Sequence, residues 1–169
     1  MKRLLVVVDM QNDFITGSLG SQQAIAILPY VRREIKARRD DGWEIVYTRD
    51  THEQDYLETQ EGRNLPVKHC IHHTYGWELA KNLYTGGRIF NKLAFGSVEL
   101  GEYVRDGGYG EVELIGLCTD ICVISNAMLI KAYAPETAVS VRERACAGVS
   151  EESHRTALDA MRACQISII

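Results

Sequence analysis

The sequence has no apolar run long enough to cross a membrane and no excess of positive charge. A membrane-spanning helix needs about 20 apolar residues, and the run at residues 4–8 is far shorter. An aspartate follows that run too soon for a secretory signal peptide. The formal net charge of −4 argues against a nucleic-acid binder, because such proteins usually carry a basic face. We therefore expect a cytoplasmic protein that binds a small molecule, and neither a membrane nor nucleic acid.

The sequence also lacks internal repeats, low-complexity tracts, linkers and the signs of a disulfide framework. Its five cysteines are an odd number in a chain of this size, so free thiols are expected. The 169 residues suffice for one substantial core but not for two ordinary domains. Hydrophobic residues make up 46% and charged residues 25%, which is typical of soluble globular proteins. These features predict a single domain spanning residues 1–169.

Apolar runs alternate with helical patterns along the whole chain, which predicts an α/β fold. The runs are continuous blocks of Val, Ile and Leu, as in strands of a parallel sheet that helices cover on both faces. Right-handed crossovers then leave few topologies. The predicted strands are residues 4–8, 43–48, 88–91, 112–117, 138–141 and 166–169. The predicted helices are residues 24–38, 98–105, 121–133 and 151–163.

Conventional signals mark several helix ends, and one long segment interrupts the alternation. Ser150 is expected to cap the last helix, and Gly42 and the pair at 107–108 are expected to end helices. The interrupting segment covers residues 50–77 and has weak periodicity. Loops of that length are usually functional or mobile. Four of the five histidines lie within it, namely His52, His69, His72 and His73.

Reactive side chains follow four of the predicted strands. In an open parallel sheet, ligands bind at the carboxyl ends of the strands, near the switch point of strand order. The residues at those positions are Asp9, the pair Asp50 and His52, Lys92, and the cysteines Cys118 and Cys122. Alone, Asp9 could be a capping carboxylate and Lys92 a solvated lysine. Together with a thiol they favour a thiolate, since positive charge lowers a cysteine pKa and a carboxylate can accept the proton.

Of the two cysteines, Cys122 is the better candidate for a nucleophile. It falls in the first turn of a helix if Thr119 or Asp120 caps that helix, and helix N-termini stabilise thiolates. Backbone N–H groups around it could hold an oxyanion. Cys118 belongs to the preceding turn and by itself is expected to be a small apolar filler. The C-x-x-x-C spacing does not fit the usual zinc patterns.

Three ordered motifs give the chain a family resemblance. The motifs are VVVDMQNDF at residues 6–14, NKLAFGS at 91–97 and GLCTDICV at 116–123. With these motifs the chain resembles the isochorismatase-like cysteine hydrolase superfamily, which contains nicotinamidases, pyrazinamidases and related amidohydrolases. The resemblance extends through ACAGVSEESHRTALDAM at residues 145–161. It implies a three-layer α/β/α sandwich with a six-stranded, mainly parallel sheet.

The resemblance also implies a catalytic triad of Asp9, Lys92 and Cys122. The Leu117–Cys118 peptide is then expected to be cis, with the backbone amides of Cys118 and Cys122 forming an oxyanion hole. In such enzymes the aspartate takes the thiol proton and the lysine holds the charge. The thiolate attacks a carboxamide carbon, ammonia leaves, and water hydrolyses the thioester.

A divalent metal site is implied by the same resemblance. Nicotinamidases carry an Asp-x-His after the second strand and a later His-Cys pair, and their metal coordinates the pyridine nitrogen. The matching residues here, with a glutamate at a suitable spacing, are Asp50, His52, Glu61 and His69. Two histidines and two carboxylates suit zinc foremost, with iron or manganese as alternatives. Without the resemblance, a solvated polar loop would explain the same residues.

The expected substrate is a small carboxamide, most plausibly nicotinamide. Phe14 is expected in the substrate pocket, with Tyr75 or Trp77 as a second aromatic wall. One departure from nicotinamidases is Leu65-Pro66, where those enzymes commonly have an aromatic residue before proline. The alternatives are a metal-free relative acting on a carbamoyl or ureido compound and a non-catalytic binding protein. Isochorismatase activity is disfavoured because that reaction does not need the thiol. The resemblance also implies a homo-oligomer.

Overall fold

The computed structural model describes residues 1–169 and contains six strands and six α-helices. The strands are β1 (Lys2–Val8), β2 (Glu44–Asp50), β3 (Ile89–Lys92), β4 (Tyr109–Leu117), β5 (Ala138–Ala147) and β6 (Ser167–Ile168). The helices are α1 (Asn12–Ile15), α2 (Gln22–Asp40), α3 (Gln60–Asn64), α4 (Val98–Gly107), α5 (Ile124–Tyr133) and α6 (Glu151–Ala163). No helix combines the length and apolarity needed to cross a membrane.

The six strands form one sheet in the order β3-β2-β1-β4-β5-β6. Every neighbouring pair is parallel, so the predicted α/β class with a mainly parallel six-stranded sheet is confirmed. The chain moves outward from β1 through β2 to β3 and then returns to the other side of β1 with β4. The switch point of strand order therefore lies between β1 and β4, where a ligand site is expected.

Two hydrophobic cores lie on opposite faces of the sheet and give the sandwich its three layers. On one face, α2 packs Ile27, Val31 and Ile35 against the strands. On the other face, α4, α5 and α6 contribute Leu100, Val104, Ala127, Ile130, Leu158 and Met161. The strands are buried on both faces because their side chains are apolar in both directions, as the continuous Val/Ile/Leu runs predicted.

The predicted helix signals are largely confirmed, but two boundaries differ. Ser150 and Ser153 form a reciprocal capping box at the start of α6, and Gly108 ends α4 in the left-handed conformation at φ 64°. The helix predicted at residues 121–133 instead begins with a wide π-helical turn, Thr119–Val123, before α5. Strand β5 extends to Ala147, beyond the predicted end at 141, and its register with β4 is irregular between the Val141 and Cys146 pairings.

The long segment after β2 is ordered by short helical elements. It contains 3₁₀ turns at Tyr56–Glu58 and Tyr75–Trp77 and the short helix α3. A parallel bridge joins His52 to Ile71, so the segment folds back over the carboxyl end of β2. This arrangement brings its histidines to the edge of the sheet that contains the switch point.

Candidate active site and metal-ligand group

The structure brings Asp9, Lys92 and Cys122 together at the carboxyl edge of the sheet. All three side chains are buried, with at most 5% of each residue exposed. The ammonium Nζ of Lys92 lies 2.6 Å from Asp9 Oδ2 and donates to the Sγ of Cys122 at 3.3 Å. It also donates to Asp50 Oδ1 and to the carbonyl of Ala94, both at 3.2 Å. Lys92 therefore links the predicted triad to the first predicted metal ligand.

The carboxylate of Asp9 is fixed by the neighbouring strand. The hydroxyl of Thr48 donates to Asp9 Oδ1 at 2.6 Å, and the Asp9 amide donates to the Thr48 carbonyl at 3.2 Å. Asp9 has a φ of 46°, a left-handed conformation that Asp tolerates better than most residues. Its Oδ2 forms a close ion pair with the ammonium of Lys92 at 2.6 Å.

Burial, more than local charge, sets the protonation state of the thiol. Burial and the Asp9 carboxylate raise the pKa of Cys122 well above its ordinary value, and the positive charge of Lys92 does not reverse this. The expectation of a lowered pKa and a resting thiolate is therefore wrong. Burial also raises the pKa of Asp9, which makes it a stronger base.

The turn that contains Cys122, Thr119–Val123, follows the predicted cis peptide but is π-helical rather than α-helical. The Leu117–Cys118 peptide is cis, as expected. The amide of Val123 donates to the Cys118 carbonyl at 3.0 Å, which closes the wide turn. No side chain caps this turn, so neither Thr119 nor Asp120 has the predicted capping role. Burial raises the pKa of the Cys118 thiol to about 12, and Lys92 contacts the Sγ of Cys122 rather than that of Cys118.

A close contact between strands places this turn beside β1. Gly116, near the end of β4, has a φ of 120°, and a Cβ there would lie 2.1 Å from the Val8 carbonyl oxygen. Only glycine allows β4 to approach β1 this closely. The contact sets the distance between Asp9, which follows β1, and the turn Thr119–Val123, here called the nucleophile turn, which follows β4 and contains Cys122.

The four predicted metal ligands form one cluster, with ligand atoms that all lie within 4.8 Å of one another. Asp50 Oδ2 is 2.8 Å from Nε2 of His52 and 3.4 Å from Nε2 of His69. Glu61 Oε1 is 3.5 Å from His52 Nε2 and 3.9 Å from His69 Nε2. Metal–ligand bonds of about 2.0–2.1 Å separate tetrahedral ligand atoms by about 3.3 Å. The residues present therefore fit a divalent metal.

Other contacts orient the ligands toward the cluster. Nδ1 of His69 bonds the Val67 carbonyl at 2.7 Å, which leaves Nε2 for a metal, as is usual for metal-binding histidines. Gln11 bonds both the amide and the carbonyl of Asp50 at 2.8 Å. Burial would raise the pKa of Asp50, but Lys92 and the two histidines lower it below its usual range. The carboxylate is therefore ionised and able to bind a cation.

The remaining residues of the segment do not join the cluster. His72 and His73 stack on each other, with ring centroids 3.8 Å apart, and His72 pairs with the exposed Glu53. Glu58 is exposed on its 3₁₀ turn. These three residues lie outside the metal-ligand group.

One cavity of about 460 Å³ borders both the thiol and the metal-ligand group. Phe14 lies in its wall, as predicted, with its ring 5.5 Å from that of His69. Neither Tyr75 nor Trp77 lines the cavity, because Tyr75 is 79% exposed and Trp77 is buried. Phe95 and Leu65 contribute instead. Other lining residues are Leu19, Asp50, Glu61, His69, Cys118, Ile121, Cys122 and Val149, and none of the lining residues is a lysine or an arginine.

Sequence reasoning missed three residues that shape the site. Thr48 lies in β2 beside the end of β1, so its contact with Asp9 depends on strand order. Gln11 was part of a recognised motif without a role, and Phe95 follows Lys92 by three positions in another motif. The strand-end rule could have found Thr48, since it lies in the strand next to Asp9. Nothing in the sequence indicated that Phe95 would replace the predicted second aromatic wall.

The protein combines an all-parallel α/β/α sandwich with a carboxylate, lysine and thiol cluster beside a set of metal ligands. The family model described as the isochorismatase domain matches residues 3–169. The chain therefore belongs to the isochorismatase domain family, and the predicted resemblance is confirmed.

Individual relatives match over nearly their full lengths. The nicotinamidase/pyrazinamidase of Mycobacterium tuberculosis is 27% identical over 99% of this chain and 98% of that protein. The crystal structure of pyrazinamidase of Pyrococcus horikoshii in complex with zinc has a TM-score of 0.88 and 29% identity, covering 100% of this chain and 99% of that one. N-carbamoylsarcosine amidase of Thermoplasma acidophilum has a TM-score of 0.82 and 28% identity, covering 99% and 95%. These similarities support an amidohydrolase that acts on an amide C–N bond.

Proposed function

We propose that the protein is a metal-containing nicotinamidase, which hydrolyses nicotinamide to nicotinic acid and ammonia through a thioester on Cys122. The carrying observation is that a single cavity borders Cys122 at one side and Asp50, Glu61 and His69 at another. A small ring amide can therefore reach the thiol and the metal-ligand group together. The relatives named nicotinamidase or pyrazinamidase support the same activity.

The triad residues divide the chemistry between them. Asp9 Oδ2 accepts the thiol proton while the sulfur of Cys122 attacks the carboxamide carbon. Protonated Asp9 then gives the proton to the departing nitrogen, so ammonia leaves and a thioester remains. Asp9 next takes a proton from water, which hydrolyses the thioester and restores the thiol. Lys92 stays protonated throughout, because burial alone would lower its pKa but Asp9, Cys122 and Asp50 raise it.

The backbone and the cluster of ligands position the substrate. The amides of Cys118 and Cys122 stabilise the oxygen of the tetrahedral intermediate. Asp50, His52, Glu61 and His69 would hold the divalent metal, which when bound supplies a Lewis acid for a ring nitrogen. Phe14 and Phe95 supply apolar walls for the ring.

The charge of the cavity favours nicotinamide over the substrates of the alternative enzyme, which are carbamoyl or ureido compounds. In the metal-free alternative, a carbamoyl or ureido substrate that carries a carboxylate would lack a cationic partner, because the lining contains Asp50 and Glu61 but no lysine or arginine. A neutral ring amide meets no such penalty. The similarity to N-carbamoylsarcosine amidase makes that compound class the comparison to test.

Ammonia release from a matched set of amides tests the proposal. We expect turnover of nicotinamide, and a kcat/KM for benzamide that is lower by about 10-fold or more, because benzamide lacks the ring nitrogen and so loses a metal contact worth a few kcal/mol. N-carbamoylsarcosine should be a poorer substrate than either. Preferential hydrolysis of the carbamoyl compound, or equal rates for nicotinamide and benzamide, would contradict the assignment.

The hydroxyl of Thr48 should matter for the general base. Thr48→Val keeps the shape of the side chain but removes the 2.6 Å hydrogen bond to Asp9. Because general-base catalysis contributes about 10²–10⁴-fold, a misplaced Asp9 should lower kcat/KM for nicotinamide by about 10-fold. Thr48→Ser, which keeps the hydroxyl, should stay within about 3-fold of the parent protein. Equal activity of the two variants would show that the hydrogen bond does not position Asp9.

The identity of the metal, a cytoplasmic location and homo-oligomer formation stay predictions. Two nitrogen and two oxygen ligands in a cluster of this size suit zinc, and the pyrazinamidase relative is described in complex with zinc. Elemental analysis of protein purified without chelator measures the metal, and light scattering measures the mass of the assembly. About one zinc per chain is the expected result.

A further inference from the structure

The nucleophile turn is hydrogen-bonded to a helix that does not line the catalytic cavity. Thr119, the first residue of the turn, is completely buried. Its Oγ1 shares a hydrogen bond of 2.7 Å with Nδ1 of His154, in the first turns of α6. His154 is absent from the lining of the catalytic cavity and instead borders a second cavity of about 210 Å³, which lies between α2 and the start of α6. His154 therefore contacts the turn through the side chain of Thr119 without lining the catalytic cavity itself.

A second connection joins the same two parts of the fold. The carboxylate of Asp120 accepts a hydrogen bond from the Val149 amide at 3.2 Å. Next to Val149, a Cβ on Gly148 would lie 3.0 Å from both the Cα and the N of His154. The loop before α6 is thus packed tightly against the helix, and Gly148 and Val149 themselves line the catalytic cavity. The turn, the loop and the start of α6 form one connected unit.

The local geometry of the turn explains why it needs support from elsewhere. It is a π-helical turn without a side-chain cap, and π-helical turns are rare and occur often at functional sites. Its backbone must place the Cys118 and Cys122 amides around a developing negative charge. A displacement of about 1 Å in such a group can cost about 10²-fold in rate. A hydrogen bond from a rigid helix is a direct way to prevent that displacement.

We propose that His154 is a positioning residue that holds the oxyanion-binding turn in its catalytic geometry through Thr119. The inference rests on the proposed cysteine amidohydrolase function and adds a residue to its machinery. The hydrogen bond acts on the backbone of the turn, so its loss should weaken stabilisation of the tetrahedral intermediate more than binding of the amide. The expected signature is a lower kcat with little change in KM.

The test compares five variants with the parent protein. His154→Leu removes the hydrogen bond, and His154→Asn places an amide near the position of Nδ1. Thr119→Val removes the other partner while keeping the shape of the side chain. The control is Arg155→Ala, which alters the same helix at a side chain that is 75% exposed. A double variant, His154→Leu with Thr119→Val, measures whether the two residues act through one interaction.

Three readouts separate positioning from a general structural defect. The first is kcat and KM for nicotinamide. The second is the affinity for pyridine-3-carbaldehyde, which reacts reversibly with Cys122. The Cys122 sulfur bonds to the carbonyl carbon, the carbonyl π electrons move to the oxygen, and that oxygen gains the thiol proton. The resulting thiohemiacetal places its oxygen against the turn. The third is the rate at which iodoacetamide alkylates Cys122, a reaction that requires the thiol but no oxyanion hole.

Loss confined to the first two readouts would support the proposal. We expect His154→Leu to lose about 10-fold or more in kcat and in aldehyde affinity, with KM and alkylation within about 3-fold of the parent. His154→Asn should recover most of the loss, and the double variant should be no worse than Thr119→Val alone. Arg155→Ala should resemble the parent.

Two results would overturn the positioning role of His154. A third result would contradict only the proposed nicotinamidase activity. Unchanged kcat and aldehyde affinity in His154→Leu would exclude a positioning role. A parallel fall in all three readouts, without recovery in His154→Asn, would indicate a structural role alone. If the parent protein binds the aldehyde but does not hydrolyse nicotinamide, the nicotinamidase assignment fails. In that case the aldehyde and alkylation comparisons still decide the role of His154.

Discussion

Replacement of Cys122 by alanine should abolish ammonia release from nicotinamide, with a loss of about 10⁴-fold or more, as is usual when a covalent nucleophile is removed. The residual Asp9 and Lys92 cannot substitute for the sulfur, because no thioester forms without it. The fold should persist, since Cys122 contributes a small side chain to a core of 20 buried residues. Steady-state ammonia release measures the loss, and circular dichroism checks the fold.

Cys118→Ala is the matched control for this prediction. Cys118 lies only four residues from Cys122 and also lines the cavity, but Lys92 contacts the Sγ of Cys122 and not that of Cys118. Only its backbone amide has a proposed role, and alanine retains that amide. Activity within about 3-fold of the parent is expected, because the substitution removes no transition-state interaction.

Mass spectrometry of the acid-quenched enzyme adds a direct observation. The parent protein should carry a nicotinoyl group on Cys122 during turnover, and Cys122→Ala should carry none. Full activity of Cys122→Ala, or an acyl group on Cys118, would assign the wrong nucleophile and overturn the mechanism.

The architecture and the reactive residues could be predicted because they depend on local sequence and on one topological rule. Continuous apolar runs mark strands that are buried on both faces, and the carboxyl ends of parallel strands meet at one edge. That rule was enough to bring Asp9, Lys92 and Cys122 together. It missed the far half of β5, where Arg142 interrupts the apolar pattern. Arg142 is partly exposed and pairs with Glu113 on the adjacent strand at 2.6 Å and with Glu34 at 3.3 Å.

The properties that sequence reasoning missed depend on burial and on distant packing. The charge near Cys122 suggested a lowered pKa, but the depth of burial and the Asp9 carboxylate raise it. The bond between Thr119 and His154 joins residues 35 positions apart, and it depends on how α6 crosses the nucleophile turn. The second aromatic wall of the cavity also depends on distant packing, since Phe95 reaches the cavity from the loop between β3 and α4. No periodicity or motif spacing encodes such contacts.

Replacement of His52 by alanine should remove the metal and most of the nicotinamidase activity. His52 Nε2 lies 2.8 Å from Asp50 and 3.5 Å from Glu61, so its loss leaves an incomplete ligand set. Substitution of residues that only support ligands typically costs about 10–100-fold in metal affinity, and loss of a ligand itself should cost at least as much. The kcat/KM for nicotinamide should fall by a similar factor, because the ring nitrogen loses its partner.

The measurement pairs metal content with reactivity of the thiol in the same samples. His52→Ala should contain little metal after dialysis, while iodoacetamide should still alkylate Cys122 at a rate within about 3-fold of the parent. The control is His72→Ala, since His72 is in the same segment but outside the ligand cluster. That variant should keep its metal and its activity.

Treatment of the parent protein with a chelator provides an independent way to prepare metal-free protein. Stripped protein should lose nicotinamide hydrolysis and regain it on addition of zinc, whereas stripped His52→Ala should not recover at the same zinc concentration. Undiminished turnover in stripped protein would mean that the four ligands do not serve catalysis. It would favour a metal-independent amidohydrolase, in which Asp50 acts on Lys92 alone through their 3.2 Å contact.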